Sequence, residues 1–101
     1  MSAERCEAET YRAARGVSWV AQGNGILVVD EVARGSVLLA YPAAAVWDMA
    51  CRGRDRAHIA ASLRWIMGNE HKVVGDVVRE CLNSWILDGL LEPADPARRV
   101  T

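Results

Sequence analysis

The sequence contains no phenylalanine, no paired-cysteine motif and no apolar run long enough to cross a membrane. Its three cysteines (Cys6, Cys51 and Cys81) are odd in number and show no CxxC spacing, which predicts free thiols in a reducing cytoplasm. A membrane-spanning helix needs about 20 apolar residues. The first 16 residues are also too charged to hold the apolar stretch of a signal peptide. We therefore expect a cytoplasmic protein with no membrane partner.

An excess of charge of one sign is also lacking. Lysine and arginine number 12 and aspartate and glutamate 13, for a formal net charge of −1, so no global charge points to nucleic acid. The 101 residues fit one domain, and an apolar content of 51% is too high for a disordered chain. Without phenylalanine, the four tryptophans must supply most of the aromatic bulk of the core: Trp19, Trp47, Trp65 and Trp85.

No catalytic or metal-binding motif can be recognised in the sequence. It has no glycine-rich phosphate loop, and neither His58 nor His71 has a sequence neighbour that would complete a dyad or triad. Cys51, His58, His71 and Cys81 do not have the spacing of zinc ligands, and Cys81 falls on an apolar helix face. We expect a protein that is not an enzyme and holds no metal or cofactor.

What the sequence does contain is three short apolar segments followed by three amphipathic ones. Segments 17–21, 26–30 and 36–41 predict strands, joined first by "QGNG", where Gly23, Asn24 and Gly25 can all take positive φ, and then by "EVARG". Connections this short favour an antiparallel meander.

Pro42 is suited to the first turn of a first helix that ends near Cys51, before Gly53. Asp55 is the expected N-cap of a second helix that stops at Gly68 and Asn69. The third helix is predicted over about 71–88. The apolar stripes of the second and third helices are Ile59, Leu63, Ile66 and Met67, and Val74, Val78, Cys81, Leu82 and Trp85.

These elements together predict an α+β, winged-helix-like domain over residues 17–92, with a three-stranded antiparallel sheet followed by three helices. A polar segment over 1–16 and a flexible tail over 93–101 flank it.

The third strand is the most informative segment. Residues 37–41 are apolar at both parities, and the strand ends the meander, so its outer edge is expected to have unpaired N–H and C=O groups. An extended peptide can add to such an edge as a further strand. Two alternatives remain open here: the edge pairs with a second copy in a homodimer, or the N-terminal segment covers it.

The predicted third helix does not favour DNA. Between Glu70 and Asp88 it carries two basic residues against four acidic ones, so a duplex would repel it. The cationic cluster at Arg52, Arg54 and Arg56 is either a solvated loop or a docking point for an acidic partner. A DNA-binding regulator and a dimerising structural subunit of a larger enzyme are the alternative functions.

Three stretches in this order, "VLLAYPAAAVWDMACRG", "DRAHIAASL" and "VVGDVVRECLNSWILDGLLE", resemble the PqqD-like domains, the leader-peptide recognition elements of peptide-modification pathways. The matching features include Trp47 in the first helix, Gly53 in the turn after it, Asp76-Val77 in the third helix and Gly89-Leu90-Leu91 at its end. The sequence departs from the family at Ala40-Tyr41, where Leu-Asn is frequent, and at Arg52, where an acidic residue is frequent.

The resemblance implies a non-catalytic adaptor. It would bind the leader of a ribosomally made precursor peptide as a strand beside the third strand, against the third helix, and present it to a modifying enzyme, often a radical SAM enzyme. Arg79 and Ile86 lie on the opposite flank of that helix from Val77 and Ser84, and the sequence does not decide between the flanks. The implied contact residues are Val37, Leu38, Leu39, Ala40, Tyr41, Val77, Cys81 and Ser84.

Overall fold

The fold was analysed in a computed structural model, which describes residues 9–68 and 71–94. Five strands and three helices follow one another in that part of the chain. Their bounds are β1 Thr10–Ala13, β2 Val17–Gln22, β3 Gly25–Asp30, β4 Gly35–Leu39, α1 Ala43–Cys51, α2 Arg56–Met67, α3 His71–Leu87 and β5 Leu91–Ala94. The predicted α+β fold, with a three-stranded antiparallel sheet followed by three helices, is confirmed.

The three-stranded sheet has the order β2–β3–β4, and both pairings are antiparallel. A two-residue turn joins β2 to β3, and of its residues only Gly23 has a positive φ, as in a type II′ turn. Asn24 and Gly25 could also take positive φ but do not, because a type II′ turn requires it at its first central residue alone. In the β3–β4 loop, Asp30 Oδ1 accepts the backbone N–H groups of Val32 and Ala33, and this fixes the turn.

A second sheet, which the sequence pattern does not predict, joins the two ends of the described chain. β1 pairs antiparallel with β5, from Thr10 opposite Ala94 to Ala13 opposite Leu91. The pairing buries Tyr11 and Leu91, so this small sheet closes one side of the core. The segment expected to be polar over 1–16 thus contains a strand, and β5 extends into the tail expected over 93–101. Residues 1–8 and 95–101 of those two segments lie outside the described residues.

The sheet passes into the helices over a very short distance. β4 ends at Leu39, two residues before the expected end at Tyr41, because the carbonyl of Ala40 already accepts the backbone N–H of Ala44 at 2.9 Å. Pro42 caps α1 rather than lying in its first turn. α2 begins as predicted, with Asp55 Oδ1 accepting the N–H of His58 at 2.8 Å, and it ends at Gly68 with φ of 71°.

The core lies between the helices and the inner face of the three-stranded sheet. Val28 and Leu39 enter it from the sheet, and Ile59 and Leu63 enter it from α2. Ile66 was expected in the α2 stripe but is exposed, because it lies at the margin of the buried face, whereas Met67 in the same turn packs against the core. The buried α3 residues are Val74, Val78, Leu82 and Trp85, with Cys81 half-buried beside them. Among the described helices, none is both long and apolar enough to cross a membrane.

Trp47 lies at the centre of this core. Its ring meets Trp85 of α3 edge to face at 5.2 Å between centroids, and Trp19 of β2 edge to face at 5.9 Å. Trp47 is fully buried and Trp85 nearly so, whereas Trp65 on α2 is 87% exposed. One aromatic contact chain therefore joins sheet, first helix and third helix.

We expect Trp47→Ala to lower the free energy of unfolding by about 3 to 5 kcal/mol, because it removes a fully buried ring and leaves a cavity. Trp65→Ala is the matched control and should change it by less than about 0.5 kcal/mol. Urea denaturation followed by circular dichroism measures both. Equal losses in the two variants would contradict this description of the core.

Candidate functional site

A groove of about 390 Å³ runs between β4 and the C-terminal end of α3. Its floor is apolar, formed by Val28, Trp85 and Leu90. The residues along its sheet side are Asp30, Ala33, Gly35, Ser36 and Val37, and those along its helix side are Ser84 and Asp88. The groove therefore lies where the sheet and the third helix diverge, with the edge strand as one wall.

β4 is an edge strand within the described part of the chain, since β3 is its single strand neighbour there. Opposed residues of an antiparallel pair alternate between hydrogen-bonded and non-hydrogen-bonded, and the pair that flanks a two-residue turn is bonded. Counting from Gln22 and Gly25, the alternation makes Gly16 and Glu31 a bonded pair. The N–H of Glu31 does donate to the carbonyl of Gly16, at 2.9 Å.

The same alternation shows which residues of β4 direct their backbone groups toward β3 and which direct them toward the open edge. The residues of β3 that face β4 are Ile26, Val28 and Asp30, and their partners on β4 are Leu39, Val37 and Gly35. Leu38 and Ser36 consequently direct both their N–H and C=O groups to the open edge. The position of Gly25 agrees, because a Cβ there would overlap the carbonyl oxygen of Leu39, which must therefore point inward.

The five expected contact residues on and after β4 occupy different environments. Val37 lines the groove, Leu38 is 58% exposed on the opposite face of the sheet, and Leu39 is buried in the core. Ala40 and Tyr41 are exposed beyond the end of the strand. The groove side of β4 is thus formed by Val37 with Gly35 and Ser36.

The structure places the groove on one of the two flanks of α3 that the sequence left open. Ser84 and Asp88 line it, and Cys81 and Val77 lie on the same flank, one and two turns before Ser84, respectively. Both of these side chains are half-buried against the core. Arg79 and Ile86 lie on the far flank, where Arg79 pairs with Asp76. As a set of peptide contacts, the residues expected from the sequence remain a prediction.

Several groove residues were not expected from the sequence. Asp30, Gly35, Ser36, Asp88 and Leu90 lie at the ends of elements, where hydrophobic periodicity carries no signal. The alternation of residues along β4 could have indicated Ser36. It lies two residues from Leu38, so its backbone N–H and C=O groups point to the same open edge. The groove wall is negative: among the described residues that line it, the charged ones are Asp30 and Asp88.

The half-buried thiols on α1 and α3 are kept in their neutral form. Burial, with a smaller effect from the Asp48 carboxylate, raises the pKa of Cys51 to about 12. Burial, with a smaller effect from Glu80, raises the pKa of Cys81. Cys81 therefore offers an uncharged, weakly polar surface beside the groove at neutral pH.

Cys51, His58, His71 and Cys81 were weighed as zinc ligands from the sequence. No group of three or more metal-ligating side chains comes together within residues 9–68 and 71–94. His58 lies exposed in the first turn of α2, and the side chain of His71 lies outside the described residues.

The fold has counterparts among solved structures. TbiB1 in complex with the TbiA(beta) leader peptide superimposes with a TM-score of 0.76 at 14% sequence identity, over 80% of this chain and 94% of that chain. A lasso peptide synthetase B1 complexed with the leader peptide gives a TM-score of 0.76 at 18% identity, over 82% of this chain and 98% of that one. No protein-family model and no curated protein matches the sequence.

Both structural neighbours were solved with a leader peptide bound. The chain thus shares the fold of two proteins that bind leader peptides. This confirms the fold that the resemblance implied.

The raised pKa values of the two thiols predict slow alkylation. At pH 8 the thiolate fraction at Cys51 and Cys81 should be smaller in the folded protein than in urea, because the folded pKa lies above the unfolded value. Iodoacetamide labelling followed by peptide mass spectrometry measures each site separately. Equal labelling rates with and without urea would show that these thiols are open to solvent.

Proposed function

We propose that this chain is a non-catalytic adaptor that binds the leader segment of a ribosomally synthesised precursor peptide and presents it to a peptide-modifying enzyme. The observation that carries the proposal is the open edge of β4 beside an apolar groove. The leader adds as a strand along this edge, and its alternate side chains enter the groove. The shared fold of two leader-peptide complexes supports the same conclusion.

The backbone of β4 supplies the first part of this interaction. Ser36 and Leu38 direct N–H and C=O groups to the open edge, so an added strand can exchange hydrogen bonds with both residues. These bonds do not depend on the side chains of the leader. They hold it extended and parallel to the axis of the groove.

The groove supplies the second part. Val28, Val37, Trp85 and Leu90 present apolar surface, and an added strand directs every second side chain toward it. Burial of one large aliphatic or aromatic side chain there contributes about 1.5 to 3 kcal/mol. The proposed contact set is therefore Val37 on the sheet side and Trp85 on the floor, with Ser84 and the flank of Val77 and Cys81 along the helix.

The modifying enzyme in this proposal is a separate protein. The resemblance most often implies a radical SAM enzyme, and one structural neighbour is named as part of a lasso peptide synthetase. The acidic residues along α3 and the groove, Asp76, Glu80 and Asp88, oppose the DNA-binding alternative. Homodimerisation through β4 would compete with the leader for the same edge.

If the leader adds as a strand, the effect of a proline substitution in β4 depends on whether the lost N–H points to the open edge or to β3. Leu38→Pro removes an outward N–H, so it should leave the fold intact and weaken leader binding by about threefold or more. Leu39→Pro removes the N–H that faces Ile26, so it should destabilise the fold instead. Calorimetric titration with a synthetic leader peptide, taken from a precursor reading frame sought beside the gene of this chain, together with thermal melts, measures both effects.

The controls are Leu38→Ala and Leu39→Ala, which make the side-chain losses without the backbone change. The unchanged protein should bind the leader one to one at about micromolar Kd or tighter, and should not bind duplex DNA at moderate salt. If Leu38→Pro binds the leader as well as Leu38→Ala does, strand addition at this edge is wrong.

The groove itself can be tested by filling it. Ser84→Trp places a large ring on the helix wall, so it should weaken leader binding about tenfold or more with little change in the melting temperature. Leu87→Trp is the matched control, because Leu87 is exposed on α3 and does not line the groove. Titration of both variants with the same leader decides between groove and surface effects. Equal affinities would place the leader elsewhere on the protein.

A further inference from the structure

One face of α2 has no role in the groove or the core. Trp65 is 87% exposed and Ile66 is 57% exposed, and together with His58, Ala61 and Ser62 they line a shallow concavity of about 400 Å³. We call these five residues the α2 face. A tryptophan normally buries most of its ring in a folded domain, and one left open beside a second large apolar residue indicates a contact surface.

The α2 face differs from the groove in the charge that surrounds it. The segment from Arg52 to Met67 carries four arginines and one aspartate, and that aspartate, Asp55, is engaged as the helix cap. Arg52 is held by Asp48 at 3.0 Å, and Arg56 is half-buried and directed toward Asn83 of α3. The free positive charge near the α2 face is therefore that of Arg54 and of Arg64, next to Trp65, neither of which makes an ion pair within the described part of the chain. The groove wall, by contrast, has Asp30 and Asp88.

The two surfaces are also separate in space along the fold. No residue lines both the groove and the α2 face. Trp65 projects away from the Ile59 and Leu63 side of α2, which is packed in the core. A molecule seated on α2 would therefore leave the edge of β4 open for a peptide.

We propose that the α2 face is the surface through which the leader-loaded adaptor docks on its modifying enzyme. The partner surface is acidic and contains an apolar recess that takes the ring of Trp65. Charge complementarity favours an enzyme with an acidic surface as the partner of the α2 face. The basic α2 segment attracts such a surface, and the acidic side of the groove does not. The inference rests on the function proposed above.

A second copy of this chain fits the α2 face less well. It would have to present its own acidic α3 side, which carries Asp76, Glu80 and Asp88, to the basic α2 of its neighbour. Such a contact is head-to-tail, does not close into a symmetric dimer, and would cover the groove. The docking of a distinct acidic partner leaves both surfaces in use at once.

The test uses the full chain and a peptide-modifying enzyme identified by searching the genes beside its own. Trp65→Ala should weaken enzyme binding about tenfold or more, and Arg64→Glu should slow association and reduce its salt dependence. Both variants should bind the leader within about twofold of the unchanged protein. Leu87→Ala is the matched control for loss of an exposed apolar side chain, and it should bind the enzyme normally. Surface plasmon resonance gives both the rates and the affinities.

The outcomes separate this inference from the proposed function. If the unchanged protein does not bind the leader, the proposed function fails whatever happens at α2. If it binds the leader but Trp65→Ala binds the enzyme normally, or the enzyme does not bind at all, the docking inference is wrong. Light scattering checks the remaining occupant: self-association that Trp65→Ala abolishes would assign the α2 face to a second copy and overturn the proposal.

Discussion

The edge-to-face packing of Trp47 against Trp19 and Trp85 is the contact on which the rest of this domain depends. The three rings come from α1, β2 and α3, so they fix the distance between the sheet and the third helix. The indole N–H of Trp47 has no hydrogen-bond partner among the described residues, so packing alone positions this ring. Because Trp85 also lines the groove, the width of the groove is set by the same contact that holds the core together.

A rigid core behind the groove matters because the other wall is an edge strand. Edge strands invite unwanted pairing, and short length is one protection against it. β4 has five residues, and the chain turns into α1 directly after Ala40 through the bond that its carbonyl accepts from Ala44. Only Ser36 and Leu38 present backbone groups outward, so the open edge is limited to two residues. This edge is long enough for a peptide and too short for an extended sheet-to-sheet contact.

The sequence predicted the elements whose signals are local. Three strands, three helices, the Asp55 cap and the burial of Trp47 and Trp85 follow from turn residues and helical spacing. The β1–β5 sheet did not, because its strands are four residues each and lie about 80 positions apart, so no window contains both. Ile66 matches the helical period and is nevertheless exposed, since periodicity does not report how wide the covered face of a helix is.

The part of the site that has a local sequence signal was also predictable. An apolar strand at the end of a meander is visible in the sequence, and residues 37–41 were selected on that basis. The assignment of Leu38 to the open edge and Leu39 to the core needs the register, which a two-residue turn at Gly23 fixes. The choice between the flanks of α3 needs the helix-to-sheet packing, and the structure places the groove beside Ser84. Neither the strand register nor the packing of α3 on the sheet can be derived from composition or from hydrophobic periodicity.

If a peptide binds as proposed, the sizes of the interactions indicate which part of the site would select it. Two outward residues allow about four backbone hydrogen bonds, each contributing about 0.5 to 1.5 kcal/mol net. Association costs at least about 4 kcal/mol in lost freedom, so these bonds roughly offset that cost and leave little affinity. A micromolar complex corresponds to about 8 kcal/mol, and the difference must come from side chains buried against Val28, Val37, Trp85 and Leu90. Under the proposed function, the edge of β4 would therefore hold any extended peptide weakly, and the groove would determine which peptide remains bound.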